Sequence, residues 1–285
     1  MYYLENEELK VAISEIGAEI TSVIKKKENR ECIWDADPKA WKRHSPVLFP
    51  LVGRYKDNTS VFEGRSYTMG QHGFARDMEF ELISGTETEI SFLLKSSDET
   101  LAKYPFEFEL TCGYAIKGST VEVIWKVHNP SDKTMYFSIG GHPAFVGRKP
   151  SLTGATLKFD TDKDLSCRLV NSEGLLMNGH ETVKLTDGCV EVDEHFFDKD
   201  ALVIEDDQCH EISIIEDGVT LVTVRHSCPL FGVWSSNGKN NPFICIEPWY
   251  GRADKEDFAG ELQDREYGNT LKAKETFNAS YTMTF

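Results

Sequence analysis

Residues Val121-Glu122-Val123-Ile124-Trp125-Lys126-Val127-His128 carry an apolar side chain at every second position. Val121, Val123, Trp125 and Val127 share one face of an extended chain, because successive side chains of a strand point to opposite faces. The stretch ends at Asn129-Pro130-Ser131-Asp132, where proline and small polar residues favour a turn. The pattern predicts a half-buried antiparallel strand.

Runs of β-branched and aromatic residues recur along the whole chain and predict further strands. We expect strands at Leu9–Ile16, Glu19–Lys26, Glu89–Lys95, Phe106–Ile116, Thr134–Ser138, Ala155–Phe159, Ala201–Ile204, Ile212–Ile215, Val219–His226, Phe231–Trp234 and Phe243–Glu247. One short helical turn is predicted at Glu99–Lys103, capped by Ser97 or Asp98 and ended before Pro105. With no repeat or linker, residues 1–285 are predicted to form one all-β domain, a large β-sandwich of antiparallel sheets with few short helices.

Charge and composition restrict the possible partners. The 285 residues carry 47 acidic and 31 basic side chains, a net charge of −16, which repels nucleic acid and anionic membranes. No stretch is long and apolar enough to span a bilayer. The N-terminal residues include Glu5, Glu7 and Glu8 and do not resemble a secretory signal.

Cysteine usage predicts a cytoplasmic protein without disulfides. Seven cysteines stand at irregular spacing, and an odd number of this kind is typical of buried free thiols in a reducing compartment. Cys209-His210 and His226-Ser227-Cys228 offer metal ligands, but no C-x-x-C pair accompanies them, so we expect no metal.

Three segments interrupt the strand pattern with glycine, proline, histidine and acidic residues. Gln71-His72-Gly73-Phe74-Ala75-Arg76-Asp77 holds His72 beside a glycine that permits unusual backbone conformations. Ser138-Ile139-Gly140-Gly141-His142-Pro143-Ala144-Phe145 holds His142 before a proline that restricts it to extended conformations. Taken singly, each segment is equally consistent with a turn that contains a hydrogen-bonded histidine.

The third segment is Cys245-Ile246-Glu247-Pro248-Trp249-Tyr250-Gly251, in which Glu247 is predicted to end an apolar strand. A carboxylate among apolar neighbours becomes more basic, which suits a general base near neutral pH. Trp249 and Tyr250 offer flat faces on which a sugar ring can stack. The alternative is a solvated glutamate that caps a turn.

His142 is a candidate acid and Glu247 a candidate base, and each stands on a backbone restrained by the following proline. Nucleotide-binding, serine-hydrolase and zinc-protease signatures are absent from the sequence. The pair predicts proton transfer at fixed geometry.

These motifs, in this order and together with Gly53-Arg54-Tyr55, resemble those of the aldose 1-epimerases, or galactose mutarotases, and within them the LacX-like branch. The resemblance covers nearly the whole chain and implies a single supersandwich domain with an open sugar cleft. His142, however, stands in the sequence Gly-His-Pro-Ala-Phe, which departs from the pattern of the galactose mutarotases proper. The resemblance therefore leaves the sugar open.

The resemblance also implies roles for individual residues. Glu247 corresponds to the catalytic base, His142 to the catalytic acid, and His72 to a second catalytic histidine near the ring oxygen. We hypothesise that Glu247 removes a proton from the anomeric hydroxyl while a protonated His142 donates one to the ring oxygen. The ring opens, rotates about C1–C2 and closes as the other anomer, without any cofactor. Expected sugar-binding residues are Arg54, Arg76, Phe74, Trp249 and an aspartate for which both Asp198 and Asp200 are candidates.

Two alternatives remain at this level. Lys42, Arg43, His44, Arg54, Lys56 and Arg76 are six basic residues in an acidic chain, and arginine suits phosphate, so a hexose 6-phosphate is the rival substrate. These residues are equally consistent with charged strand edges. The other rival is a sugar-binding or sugar-sensing protein with little turnover.

Overall fold

The strand predicted at 121–128 is β11 (Thr120–His128), and it lies within a nine-stranded antiparallel sheet of the computed structural model. Its four predicted core residues are all buried. The structure describes residues 1–236 and 240–285.

The strands of the described residues have the following bounds: β1 Tyr2–Glu5, β2 Leu9–Ile13, β3 Ile20–Lys25, β4 Arg30–Glu31, β5 Val47–Leu48, β6 Thr59–Phe62, β7 Arg65–Thr68, β8 Glu81–Gly85, β9 Glu89–Lys95, β10 Glu109–Lys117, β11 Thr120–His128, β12 Met135–Phe137, β13 Ile139–Gly141, β14 Ala144–Phe145, β15 Thr156–Phe159, β16 Leu165–Arg168, β17 Glu181–Val183, β18 Cys189–Glu191, β19 Leu202–Ile204, β20 Glu211–Glu216, β21 Val219–His226, β22 Leu230–Trp234, β23 Ile244–Tyr250, β24 Asn269–Leu271 and β25 Thr276–Thr284. One α-helix, α1, spans Asp98–Leu101, and short 3₁₀ turns lie at Lys26–Glu28, Lys56–Asn58, Ala75–Asp77 and Leu262–Asp264.

Two large antiparallel sheets dominate the fold. One has the order β18-β15-β20-β21-β25-β11-β10-β9-β8. The other has the order β17-β16-β19-β22-β23-β13-β5, and β14 also pairs with β23. Smaller sheets contain β1–β4, β6 with β7, and β12 with β24. The predicted all-β sandwich of antiparallel sheets is confirmed.

The main hydrophobic core lies between the two large sheets. Phe159 on β15 contacts Phe231 on β22, with ring centroids 6.5 Å apart. At Gly141 on β13 a Cβ atom would lie 2.7 Å from the hydroxyl oxygen of Tyr281 on β25. The two faces thus approach closely enough to exclude water, which is the main source of stability in such a sandwich.

Strand β23 divides its side chains between this core and the opposite face of its sheet. Ile244 and Ile246 belong to the main core cluster. Cys245 and Trp249 belong to two separate small clusters, and Glu247 lies between them in the sequence. Because side chains alternate along a strand, Cys245, Glu247 and Trp249 all point to the outer face of the eight-stranded sheet. That face carries the candidate site.

The predicted end of a strand at Glu247 is wrong, because β23 continues through Pro248 to Tyr250. Pro248 pairs with Phe231 of β22 on one side. On the other side, pairing with β14 ends at Cys245 and pairing with β13 resumes at Trp249. Proline is tolerated there because the missing N–H faces an interruption in the ladder.

The short helix agrees with its prediction. Ser97 is the N-cap of α1 and accepts a hydrogen bond from the backbone N–H of Thr100 at 3.4 Å. The Thr100 hydroxyl accepts one from the Ser97 N–H at 2.8 Å, which completes a reciprocal cap. Within residues 1–236 and 240–285, no helix has the length and apolar character needed to cross a membrane.

Candidate active site

A cavity of about 460 Å³ opens on the outer face of the eight-stranded sheet. Residues from distant parts of the sequence line it, because strands β19, β22 and β23 and several loops contribute to its wall. The predicted site residues in its wall are His72, Arg76, His142, Asp200, Glu247 and Trp249. The fold therefore brings together all three predicted catalytic residues.

Glu247 stands in the middle of β23, opposite Gly232 of β22, and its side chain is almost completely buried. Burial raises the pKa of the Glu247 carboxyl well above 4.5, the nearby Trp249 N–H opposes this rise, and Asp200 adds to it. Its Oε2 atom has no hydrogen bond of normal geometry to any described residue. Burial thus makes this carboxyl more basic than a solvated one and leaves its Oε2 atom without a hydrogen bond.

His142 lies between β13 and β14, and its backbone N–H donates to the carbonyl oxygen of Pro46 at 3.1 Å. Its Nε2 atom is 3.3 Å from Oε2 of Glu247. Burial, followed by the charges of Arg76 and Arg43, lowers the pKa of the His142 imidazole to about 3. The imidazole is therefore neutral near pH 7 in the sugar-free cavity.

The hypothesised mechanism needs a protonated His142, a form that the sugar-free cavity disfavours. Desolvation disfavours the charged form of both partners, so it lowers the pKa of the imidazole and raises that of the carboxyl. Burial therefore favours the neutral form of both groups, the carboxylic acid and the uncharged imidazole. They must be treated as a coupled pair.

His72 adopts a left-handed backbone conformation, with φ of 65°. Its backbone N–H donates to the carbonyl oxygen of Gly53 at 2.6 Å, and its Nδ1 accepts from the Gly53 N–H at 3.1 Å. Burial, followed by the neighbouring His142 and arginines, holds the pKa of the His72 imidazole well below 6.5. In the neutral ring Nδ1 is the acceptor, so Nε2 carries the proton and serves as a fixed donor.

Gly73 explains why this loop can hold His72. Its φ is 73°, and a Cβ atom there would lie 2.2 Å from the carbonyl oxygen of Phe49. No side chain fits at this position. The ring of His72 lies edge-on to that of His142, with centroids 5.6 Å apart.

Trp249 forms part of the cavity wall because two glycines leave space for its indole. A Cβ atom at Gly140 would lie 2.5 Å from Cδ1 of Trp249, and one at Gly232 would lie 2.6 Å from its six-membered ring. Tyr250 does not share this wall, because neighbouring residues of a strand face opposite ways. Its ring packs on Phe277 in the sandwich, with centroids 5.1 Å apart.

The predicted arginines occupy different positions. Arg76 lines the cavity and donates to the carbonyl oxygen of Gln71 at 2.6 Å. Arg54 does not line it, but donates to the side chains of Asn58 at 3.0 Å and of Gln71, a wall residue, at 3.4 Å. Arg54 therefore supports the wall, whereas Arg76 faces the cavity.

The structure separates the two candidate aspartates. Asp200 lines the cavity. Asp198 is exposed outside it and bonds Nδ1 of His195 at 2.8 Å. Phe74 is not in the wall either, because its ring packs in the core against Phe108, with centroids 6.0 Å apart.

The comparison with known protein families agrees with this arrangement. The family model described as "Aldose 1-epimerase" matches residues 1–283. The chain belongs to the aldose 1-epimerase family. Among curated proteins it is 30% identical over 298 residues to the chromosomal protein LacX of Lactococcus lactis subsp. lactis, covering 99% of this chain and 98% of that protein.

Two solved structures share the fold of this aldose 1-epimerase family member. A galactose mutarotase related enzyme from Lactobacillus acidophilus is 36% identical, with a TM-score of 0.93, and the match covers 99% of this chain and 96% of the other. A galactose mutarotase-like protein from Lactobacillus casei is 26% identical, with a TM-score of 0.93, covering 100% and 99%. The resemblance inferred from the motifs is confirmed.

This aldose 1-epimerase family member also uses aromatic residues that the sequence motifs did not reveal. The indole of Trp41 stacks on the imidazole of His142, with centroids 4.6 Å apart and planes inclined by 26°. Trp234 meets the same imidazole edge-on at 5.5 Å. Both tryptophans line the cavity, and together they shield His142 from water. Neither stands beside His142 in the sequence, so only the fold reveals the contact.

Arg252 is a further residue of the cavity wall that the sequence motifs did not reveal. It is 2% exposed and pairs with the buried Glu205 and with Glu266. Glu205 also pairs with Arg168 at 2.8 Å. Arg252 stands four residues after Pro248, so its closeness to the third motif was the one signal that could have marked it as a site residue. Nothing in the sequence indicated that its side chain is buried.

Proposed function

We propose that the protein interconverts the α and β anomers of a hexose by opening and closing the sugar ring. The observation that carries this proposal is the 3.3 Å contact between Nε2 of His142 and Oε2 of Glu247 in the wall of one cavity. Membership of the aldose 1-epimerase family supports an isomerase acting on a sugar. The reaction transfers only protons, so it requires no cofactor.

The proposed mechanism begins when sugar hydroxyls enter the cavity and donate hydrogen bonds to Glu247. Such bonds favour the ionised carboxylate. Its proton passes to His142, which leaves a base and an acid on either side of the anomeric centre. Glu247 then removes the proton of the anomeric hydroxyl, and His142 donates to the ring oxygen. Each positioned transfer is expected to contribute about 10²–10⁴-fold.

The other cavity residues receive supporting roles in this proposal. His72, through its fixed Nε2 donor, holds a sugar oxygen close to His142. Arg76 and Asp200 bind hydroxyl groups, and Trp249 provides an apolar surface for ring C–H groups. Asp198 and Phe74 lie outside the cavity wall, and we assign them no contact with the sugar.

A hexose 6-phosphate is the second candidate substrate. Lys42, Arg43 and Arg76 line the cavity, and this cluster of positive charge favours it. The other basic residues considered lie outside the wall: His44 lies 3.9 Å from Glu19, Lys56 bonds the carbonyl oxygen of Phe258, and Arg54 supports Gln71. Three of the six predicted basic residues, together with Arg252, could therefore meet a phosphate.

The test is an anomer-exchange NMR screen of free and phosphorylated aldoses with the full chain, using Glu247→Gln as the control. Accelerated exchange of at least one sugar, lost in the variant, supports the proposal. Faster exchange of glucose 6-phosphate than of glucose identifies the second candidate. Binding of aldoses with no acceleration of any exchange contradicts an enzyme and favours a sugar-binding or sugar-sensing protein.

We also infer that the protein works in the cytoplasm. All seven cysteines are free thiols, and six of them are buried, which suits a reducing compartment.

A further inference from the structure

Cys245 lies beneath the proposed proton-transfer pair. It precedes Glu247 by two residues on β23, so both side chains point to the same face of the sheet. One ligand atom each of Cys245, His142 and Glu247 lies within 4.8 Å of the other two. Within residues 1–236 and 240–285, this is the one such cluster of histidine, cysteine and acidic side chains.

The three ligand types suit a tetrahedral metal ion, and one of the three ligand pairs has the spacing that zinc imposes. Bonds of about 2.0–2.3 Å to zinc place neighbouring ligand atoms roughly 3.3–3.7 Å apart. The 3.3 Å separation of His142 Nε2 and Glu247 Oε2 already has this value. Three protein ligands leave a fourth position, and His142 and Glu247 line the cavity from which a water molecule could fill it. Open zinc sites have this composition.

A second observation points to a ligand at this place. Glu247 is 1% exposed, yet its Oε2 atom has no hydrogen-bond partner among the described side chains and backbone groups. A buried polar atom without a partner is costly, and a ligand that satisfies it is correspondingly favoured. Cys245 is completely buried against apolar and aromatic neighbours, so its thiol is shielded from bulk water.

Charge selects the kind of ion. Four basic residues line the same cavity and oppose any cation: Lys42, Arg43, Arg76 and Arg252. A dication bound by a carboxylate and a thiolate forms a neutral unit, because it displaces one proton from Glu247 and one from Cys245 to solvent. The thiolate favours a soft or borderline ion over magnesium or calcium, which prefer oxygen ligands alone.

We propose that Cys245, His142 and Glu247 bind a thiophilic divalent cation of the zinc class, and that this ion excludes sugar turnover by occupying both proton-transfer groups. The site shares His142 and Glu247 with the proposed sugar reaction, so the inhibition rests on the proposed function, whereas Cys245 serves the metal alone. Zinc therefore acts as an inhibitor of the protein rather than as its cofactor.

The first test is a spectroscopic titration of the full chain with cobalt(II) as a zinc substitute. We expect the visible bands of tetrahedral cobalt and a near-ultraviolet thiolate-to-cobalt charge-transfer band. Cys245→Ala and Cys245→Ser should lose the charge-transfer band and bind cobalt more weakly, by at least the roughly 10–100-fold that loss of an outer-shell partner costs. The matched control is Cys228→Ala, since Cys228 is equally buried but lies outside the cluster. It should keep the band.

The second test measures anomer exchange with and without zinc. Zinc should stop exchange in the unmodified protein, a chelator should restore it, and Cys245→Ala should exchange sugar normally while resisting zinc. A charge-transfer band that persists in both Cys245 variants, or is absent from the unmodified protein, overturns the proposal. The cobalt spectra do not depend on turnover, so a protein without mutarotase activity would still decide the metal site.

Discussion

Glu247 and His142 derive their chemistry from burial. Water would stabilise a carboxylate and an imidazolium equally well, whereas this cavity disfavours both. The imidazole therefore remains neutral until a polar ligand arrives, and the carboxyl binds its proton more tightly than a solvated glutamate does. The same physical cause makes the pair reactive only when a sugar supplies the missing hydrogen bonds.

The protonation state of His142 is directly measurable. In the sugar-free protein its imidazole should remain neutral from pH 7 to about pH 4, because burial lowers its pKa to about 3. A bound carbocyclic analogue, which keeps the C1 hydroxyl but has no ring oxygen and cannot open, should shift the proton onto His142. NMR of labelled histidine checks both states, and a cationic His142 at pH 7 without ligand would contradict the account.

Trp41 is expected to position His142 and keep it dry. Removing the indole in Trp41→Ala exposes the imidazole, so the pKa of His142 should rise toward 6.5 and kcat should fall about 10–100-fold. Trp41→Phe retains a stacking ring and serves as the control. The measurements are histidine NMR titration and anomer exchange. If the pKa of His142 in Trp41→Ala stayed as low as in the unmodified protein, the stacking on Trp41 would not be what keeps the imidazole dry.

At the residue scale, sequence reasoning found the residues that follow a local rule. His72 and His142 stand beside glycine or proline, and Glu247 stands among apolar neighbours, so each was visible in the sequence. Trp41 and Arg252 carry no such mark, because their contacts join segments far apart in the chain. The choice between Asp198 and Asp200 likewise depended on the path of a loop, which only the structure provides.

At the scale of elements, β23 builds the site through simple alternation. Its even-numbered isoleucines enter the core, while Cys245, Glu247 and Trp249 face the cavity side. The indole of Trp249 in turn requires a glycine on each neighbouring strand, Gly140 on β13 and Gly232 on β22. Three strands thus share the task of shaping one cavity wall.

Substitution of a glycine on a neighbouring strand should disturb this wall. In Gly140→Ala the new methyl would lie 2.5 Å from Trp249, so we expect a loss of about 1–3 kcal/mol in the free energy of unfolding and slower anomer exchange. In the control Gly85→Ala, also on a strand, the nearest atom is 3.7 Å away. Urea unfolding and exchange rates of both variants provide the check. Equal behaviour of the two variants would contradict the packing argument.

Some strands were predicted from the sequence with correct bounds, whereas others were misplaced or missed. The predicted strands at 89–95 and 219–226 match β9 and β21 at both ends. Strand β25 was missed, although Phe277, Ala279, Tyr281 and Met283 alternate along it. The end of β23 was misplaced because a proline usually stops a strand, and the gap between β13 and β14 that admits Pro248 is a property of the sheet.

At the scale of the whole molecule, one core joins the two large sheets. Residues 1–285 are therefore predicted to unfold as one domain, with coincident transitions by different probes. This prediction is independent of function, since it depends only on the continuity of the core.

Stability should fall as the pH is lowered from about 6.5 toward 4. His72, His142 and His226 have depressed pKa values in the folded protein, that of His226 to about 4, so the unfolded chain binds protons that the folded chain does not. Glu247 opposes this with one proton, because its raised pKa keeps it protonated when folded. The net effect is a loss of roughly 1.4 kcal/mol per pH unit for each excess proton bound on unfolding.

Urea unfolding at pH 7 and pH 5 measures this slope. His226 lies outside the cavity wall, so His226→Gln should reduce the slope by about one proton without removing sugar turnover. An unchanged slope in this variant, or greater stability at pH 5 than at pH 7, would contradict the assignment of neutral buried histidines.

The central claim is that Glu247 and His142 act as one proton-transfer unit. Anomer exchange in Glu247→Gln, His142→Asn and the double variant tests it most directly. Each single variant should lose about 10²–10⁴-fold in rate, and the double variant should lose little more than the worse single one, because residues that act together are not additive. Losses that multiply in the double variant, or a single variant with the unmodified rate, would contradict the claim.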